Sequence, residues 1–439
     1  MTINRFYRFL LLLSPWAIFA GMLQYHFRSF LPAQRLFMGL EFFDFITVAD
    51  LFVGLLFVVF VIGLATKKIV LQKRTVPVEW KVAIGLLLFA GALQILFQQV
   101  YEPVLSTPFE HFRSLFIFPL LLAFMAFRTA DEKMIHSLMK SYVAMVSFFC
   151  ILALIQYVSG WFPGEQYDFM QRLAWPYIDF VTLKSSSANW VAFFVTPLVV
   201  LSFVHLFQML RSKAWRNLPR QRAFWFYAGA FLLSVPVLYL TQSYGGYVAV
   251  GAAATFYCFR ALPLKKFFLA LIALALVAGS VYLHQQTTWK YQVLTGEADY
   301  RFATSATSRA DIYRMNLYMI ATHPLLGTGL NQYQSYFAEN QVEVLGAELN
   351  ESHTPPHAHN FFMSFWTSLG VFGFVGMFLL VLGIFWRTKF DPFHPAVFVL
   401  IAIMVHGLID SYYWKQEIAY FFWLMVLFSY RYRLPKSLS

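Results

Sequence analysis

The stretch HTPPHAHNFFMSFWTSLGVFGFVGMFLLVLGIFW, residues 353–386, sets three histidines and two prolines directly before a run so apolar that it belongs in a membrane or a deep core. Composition decides between the two. Of 439 residues, 59% are hydrophobic, 20% aromatic and 12% charged, and the mean hydropathy is +0.60. No soluble domain hides that much apolar surface from water. A bilayer core takes ~20 apolar residues per helix, so the sequence predicts an all-α polytopic membrane protein with about twelve transmembrane helices in a single transmembrane domain over 1–439. The candidate spans lie near 6–25, 46–66, 80–99, 113–128, 139–160, 188–210, 223–241, 243–260, 267–284, 359–386, 393–410 and 417–430. The stretch at 243–260 is the weakest, because Gly245, Gly246 and Gly251 dilute it.

Orientation follows from the basic residues, which stay in the cytoplasm when they fall in short loops. Most of the 33 lysines and arginines fall in alternate turns, such as Lys67 to Arg74, Arg128 to Lys140, Arg211 to Arg222, Arg260 to Lys266, and Arg387 with Lys389. Arg5 and Arg8 at the start and Arg431, Arg433 and Lys436 at the tail lie on the same side, so both termini are expected in the cytoplasm. A basic inner face against anionic lipid accounts for the net charge of +12 without a nucleic-acid partner. The first apolar stretch is long enough to span and reads as helix one rather than a cleaved leader. Cys150 and Cys258 both fall inside predicted spans, where no disulfide is expected.

The outer loops are unequal. Residues 161–187 and especially 285–358 are long, and the latter is expected to form a large outer loop between helices nine and ten. Loops of that length in compact domains are usually functional. Its middle, from Thr307 to Leu330, opens with a Ser308-x-x-Asp311 capping box and puts Ile312, Met315 and Met319 on one face, which predicts an amphipathic helix on the outer surface ending at His323-Pro324. A softly polar stretch with Glu339, Glu343, Glu348 and Glu351 follows. Arg301, Arg309 and Arg314 in this loop have two readings: solvated ion pairs, or forks that bind phosphate bidentately where water is excluded.

Pro355-Pro356 forbids helix across the histidines, so an extended chain is expected to aim His357 and His359 to one side. They could be plain polar loop, a metal site or an acid–base pair. Zinc lacks a clear fourth ligand beside His353, His357 and His359, with Glu351 the only nearby option. For acid–base work the position is apt. If Asn360 or His359 caps the next helix, the helix N-terminus favours a neutral ring on His359 and attracts anions.

The run SRADIYRMNLYMIATHPLLGTGLNQY (308–333), followed by HAHNFFMSFWTSLGVFGFVG (357–376), resembles the signature region of the bacterial O-antigen ligase and O-antigen polymerase superfamily. GLIDSYYW (407–414) and LYLTQSYGGYVAV (238–250) also stand where that family has recurring segments. The resemblance, over roughly residues 180 to 430, implies a metal-independent membrane glycosyltransferase with no cofactor. Such an enzyme moves a glycan from undecaprenyl diphosphate to a hydroxyl acceptor, another glycan, lipid A core or a protein, at the periplasmic face of the inner membrane. It also implies partners such as a flippase and a chain-length regulator. His359 matches the family's loop histidine and Arg309 the arginine opening its loop helix. Two positions depart: Tyr244 stands where the family usually has arginine, and Ser368 where it often has glutamate. The missing arginine leaves Arg301, Arg314 or Arg172 as the second diphosphate contact, with His357 and Asn360 as further binding residues. The HPLLGTG turn leans towards a polymerase, with a ligase as the alternative. A transporter of lipid-linked sugars is the rival class, favoured by the basic turn 211–222 between two sets of six spans and disfavoured by the scarcity of ionisable residues within spans.

Overall fold

A computed structural model describes residues 2–27, 47–97, 108–159, 173, 188–211, 221–286, 305–346, 355 and 357–434. Its helices, in chain order, are α1 (Ile3–Phe27), α2 (Val48–Ala65), α3 (Val78–Phe97), α4 (Pro108–Thr129, with a π-helical turn at Arg113–Ile117), α5 (Glu132–Ser159), α6 (Ala188–Arg211) and α7 (Arg222–Leu240). They continue with α8 (Tyr244–Ala261), α9 (Leu264–Gln285), α10 (Ser305–Thr322), α11 (Tyr333–Leu345), α12 (Phe361–Thr388), α13 (Pro395–Gly407) and α14 (Gln416–Arg431). A helix occupies every stretch read as a span. Eight of them, α2 to α7, α9 and α12, are long and apolar enough to cross a membrane.

The bundle is organised around α6 and α14. Every residue from Ile418 to Ser429 is buried, and α6 is buried around most of its circumference, whereas α9 buries none of its apolar span. A helix that is apolar on all sides fits either of these places, the centre of the bundle or its lipid-facing rim. Polar side chains fasten the central helix to its neighbours. The buried Asp50 closes a capping box with Thr47 at the start of α2 and accepts from Gln416 Nε2 at 2.5 Å and Tyr420 Oη at 3.0 Å on α14. Arg113, from the π-helical turn of α4, stands 4.0 Å from the same carboxylate. Away from water such groups need each other, so the cluster ties three helices together.

The two ends of the bundle differ. At one end Arg8 pairs with Asp131 at 2.6 Å, Arg433 with Asp391 at 2.6 Å, and Arg431 donates to the carbonyls of Phe127 and Ala130. The start of α1 and the end of α14 therefore lie at the same end, with the basic residues. His359 stands at the opposite end, before the start of α12.

Helices α10 and α11 form a small second core there, built from Ile312, Met315, Met319, Tyr333, Tyr336 and Phe337. The expected amphipathic face is present. The N-terminal capping box is not, since α10 begins at Ser305, three residues before Ser308. The stretch read as softly polar is itself helical through Leu345, closed by Gly346 in the left-handed conformation; Glu339 and Glu343 lie on it, and Glu348 and Glu351 fall outside the described residues.

A glycine fixes this pair of helices to the bundle. Inside α12, Gly370 has φ +66 and ψ −166, and a Cβ on it would sit 1.9 Å from the Leu325 carbonyl oxygen. The kink admits the HPLLGTG turn: Val371 N–H donates to the Pro324 carbonyl at 3.0 Å, Trp366 Nε1 to the same oxygen at 3.1 Å, and Thr328 N–H to the Thr367 carbonyl at 2.7 Å. Gln94 of α3 donates to the Leu326 carbonyl. These bonds satisfy backbone groups that the kink leaves without helical partners.

Candidate active site

Asn360 is the N-cap of α12, its Oδ1 accepting from the backbone N–H of Phe362 at 3.0 Å and Met363 at 3.1 Å. Just before it His359 has φ +46, so the approach to the helix turns sharply at this residue instead of continuing extended. A non-glycine residue in that region costs on the order of 1–3 kcal/mol and persists where surrounding contacts impose it. Here α10 and the turn after α13 impose it. Asn316 Nδ2 donates to the Ala358 carbonyl at 2.8 Å, Tyr313 Oη donates to the Leu408 carbonyl at 2.7 Å and lies 3.5 Å from the His359 carbonyl, and Asn360 Nδ2 donates to Leu408 at 3.1 Å. Tyr333 of α11 holds Asn316 in turn, donating to its Oδ1 at 2.6 Å.

The turn also brings His359 to a carboxylate. Nδ1 stands 2.9 Å from Asp410 Oδ1, with the histidine side chain about a quarter exposed at 25% and the aspartate side chain at 9%. Asn189, at the start of α6, donates to Oδ2 at 2.9 Å, and the Ser411 N–H donates to Oδ1 at 2.8 Å. Burial alone would raise the Asp410 carboxyl, but the charge and hydrogen bond of His359, with Arg309 and His406, outweigh it and hold the group well below the usual carboxylate range. An ionised Asp410 selects the imidazole tautomer with hydrogen on Nδ1 and leaves the Nε2 lone pair to accept a proton.

Arg309 belongs to this cluster. It lies four and seven residues before Tyr313 and Asn316, on the face of α10 turned to the histidine, and its charge acts on Asp410 and on His406 of α13. Arg314 does not. It points from another face, 61% exposed and 4.0 Å from Asp311 one turn back. His357 is beside His359, ring centroids 6.4 Å apart. Arg301 and Arg172 lie outside the described residues. Among the described residues no three His, Cys, Asp or Glu side chains gather as they would around a metal ion.

Two residues of the neighbourhood carry no sequence signal. Asn189 opens an apolar helix. Lys415, at the start of α14, has its Nζ 5.5 Å from the Trp190 ring centroid, and its charge interacts with Glu417 and Asp410. Asp410 itself reads from sequence as either an interfacial acid in contact with water or a partner for an arginine or histidine, and the fold decides for the histidine.

Residues 229–378 match the O-antigen ligase family. This is the segment from α7 into α12 that carries Arg309, the HPLLGTG turn, His359 and Asn360, and it is similar to the O-antigen ligase and polymerase superfamily. Asp410, Asn189 and Lys415 stand outside the O-antigen ligase match and reach the site through the fold. No curated protein matches the chain.

Proposed function

We propose that the chain is a membrane glycosyltransferase that moves a glycan from undecaprenyl diphosphate to a hydroxyl acceptor at the periplasmic face of the inner membrane, without a metal. The observation that carries the reading is the His359–Asp410 pair at 2.9 Å, at the N-terminus of α12 within the O-antigen ligase segment. His359 Nε2 takes the acceptor proton, the acceptor oxygen bonds to the anomeric carbon, and the bond from that carbon to the diphosphate breaks with inversion. Arg309 neutralises the charge that grows on the departing diphosphate, and the start of α12 adds its own attraction for anions. Lys415 is the described residue best suited to be the second cation; Arg301 and Arg172 stand as the other candidates from sequence.

The basic end of the bundle faces the cytoplasm in this reading, which puts both termini inside, the loop 285–358 outside, and His359 at the periplasmic water–lipid boundary. A polymerase is favoured on the HPLLGTG turn. The alternative is a ligase, in which lipid A core or a protein receives the glycan.

Three experiments test the reading. Deletion followed by gel analysis of surface glycan yields single-repeat products for a polymerase and full-length glycan stranded on its lipid carrier for a ligase; undecorated precursor held inside the cell would instead establish a transporter. His359→Ala abolishes transfer while the protein still folds and inserts, and full activity in that variant would refute the assigned chemistry. Arg309→Lys already impairs transfer, because an ammonium cannot make the bidentate phosphate contact.

A further inference from the structure

At the end of the bundle away from His359, two cavities meet. One, of about 430 Å³, is lined by Arg260, Arg387, Lys389, Asp391, His394 and Arg433. The other, of about 710 Å³, runs between α3 and α12 along Val78, Val82, Leu379, Leu382 and Trp386, and shares Arg387 and Lys389 with the first. The groove is open to the lipid side: Trp386 is 81% and Val78 68% exposed. Within it Gly383 of α12 packs against Glu79 of α3, leaving no room for a Cβ beside that side chain.

The charges of the polar cavity are unequally matched. Arg387 is held by both oxygens of Glu79, at 2.6 and 3.2 Å, and Arg433 by Asp391. Arg260 donates to the carbonyls of Lys389 at 3.2 Å and Phe390 at 3.4 Å, which helps to satisfy the C-terminal end of α12 but leaves its positive charge without a carboxylate in ion-pair range among the described residues. Lys389 has φ +50, which swings the chain out of the helix, and its ammonium too is in no ion pair among the described residues. Capping of a helix end accounts for one cation there. It does not account for the second, Lys389, or for the apolar groove that Lys389 also lines.

We propose that this paired cavity is a binding site for an anionic glycerophospholipid, with the phosphate head group between Arg260 and Lys389 and an acyl chain in the groove between Leu382 and Trp386. The occupant follows from charge complementarity at one end and an apolar, lipid-exposed channel at the other, a combination that neither a soluble anion nor a zwitterionic lipid satisfies fully. The site is at the opposite end of the bundle from His359 and does not depend on the reaction assigned there.

The test is native mass spectrometry of the full chain in detergent, titrated with phosphatidylglycerol, phosphatidylcholine and soluble glycerophosphoglycerol. The proposal expects phosphatidylglycerol to bind most tightly, and the Arg260→Gln/Lys389→Gln variant to lose roughly 10- to 30-fold in affinity, as befits two surface cations at a membrane. Trp386→Ala should weaken the intact lipid and leave the soluble head group unaffected. Equal binding of phosphatidylcholine, or of the soluble head group and the intact lipid, would overturn the proposal, as would undiminished phosphatidylglycerol binding in the double variant. If the double variant does not fold, Lys389→Gln alone, with Arg260→Lys as the charge-preserving control, gives the same decision.

Discussion

Replacing Asp410 by asparagine keeps the shape of the residue and removes its charge, which isolates what the carboxylate does for His359. The wild-type carboxylate accepts from the Asn189 amide at 2.9 Å and the Ser411 N–H at 2.8 Å, and the His359 ring nitrogen stands 2.9 Å from it. In Asp410→Asn the new side chain can keep its oxygen towards His359 and Ser411, and Asn189 can turn its amide to suit, so the fold is preserved. What is lost is the anion that stabilises the imidazolium formed as the acceptor proton is taken. A hydrogen bond to a charged group contributes about 1.5–3 kcal/mol, which is roughly 10- to 200-fold in rate. The assay is glycan transfer in proteoliposomes, with kcat and KM measured separately for wild type, Asp410→Asn, His359→Ala and the double variant. The expected result is a fall in kcat with KM unchanged, and no further fall when Asp410→Asn is added to His359→Ala, because the two residues act as one unit. A wild-type kcat in Asp410→Asn, or independent losses that multiply in the double variant, would refute the reasoning.

Gly370→Ala meets both a positive φ and a carbonyl oxygen 1.9 Å from the new Cβ, so it should destabilise the protein by about 2–5 kcal/mol, read as a lowered Tm in detergent. Asn316→Ala strands the buried Tyr333 hydroxyl and the Ala358 carbonyl, at about 1–3 kcal/mol for each group; by loosening the turn before α12 it should also lower kcat, and rates equal to wild type would show that α10 does not hold His359 in place. Because the folded protein holds Asp410 below its ordinary value, the unfolded chain binds the extra proton between the two values, so stability rises with pH there. The contribution is complete above about pH 4, the unfolded value, and is lost as pH falls towards the lowered folded one. Asp410→Asn should therefore flatten the difference in acid-unfolding curves below that pH, and superimposable curves would remove the carboxylate from the folding balance. Arg314→Gln, on the far face of α10, should transfer glycan at the wild-type rate while Arg309→Gln does not.

The helices that fill the bundle are legible in the chain itself, because lipid requires each spanning segment to satisfy its own backbone hydrogen bonds and to be apolar along ~20 residues, and both demands are written locally. His359 and Asn360 stand out in the same way, since proline and a capping residue are short-range signals. Even the differences at helix boundaries are local ones: α10 starts at Ser305 without the expected cap, and α11 gives no clear apolar period because its buried face is made of tyrosines and phenylalanine interleaved with glutamate and glutamine. Which of several arginines belongs with the histidine, and what the histidine leans on, follow from packing alone. Arg309 and Arg314 are five residues apart, and the choice between them is the angle at which α10 docks, set by Tyr313 and Asn316 reaching to residues nearly fifty and a hundred positions away. Asp410 meets His359 from the turn after α13, and Asn189 of α6 meets Asp410. A carboxylate at a helix end looks alike in sequence whether it faces water or a ring, because the difference lies in long-range packing that no local pattern encodes.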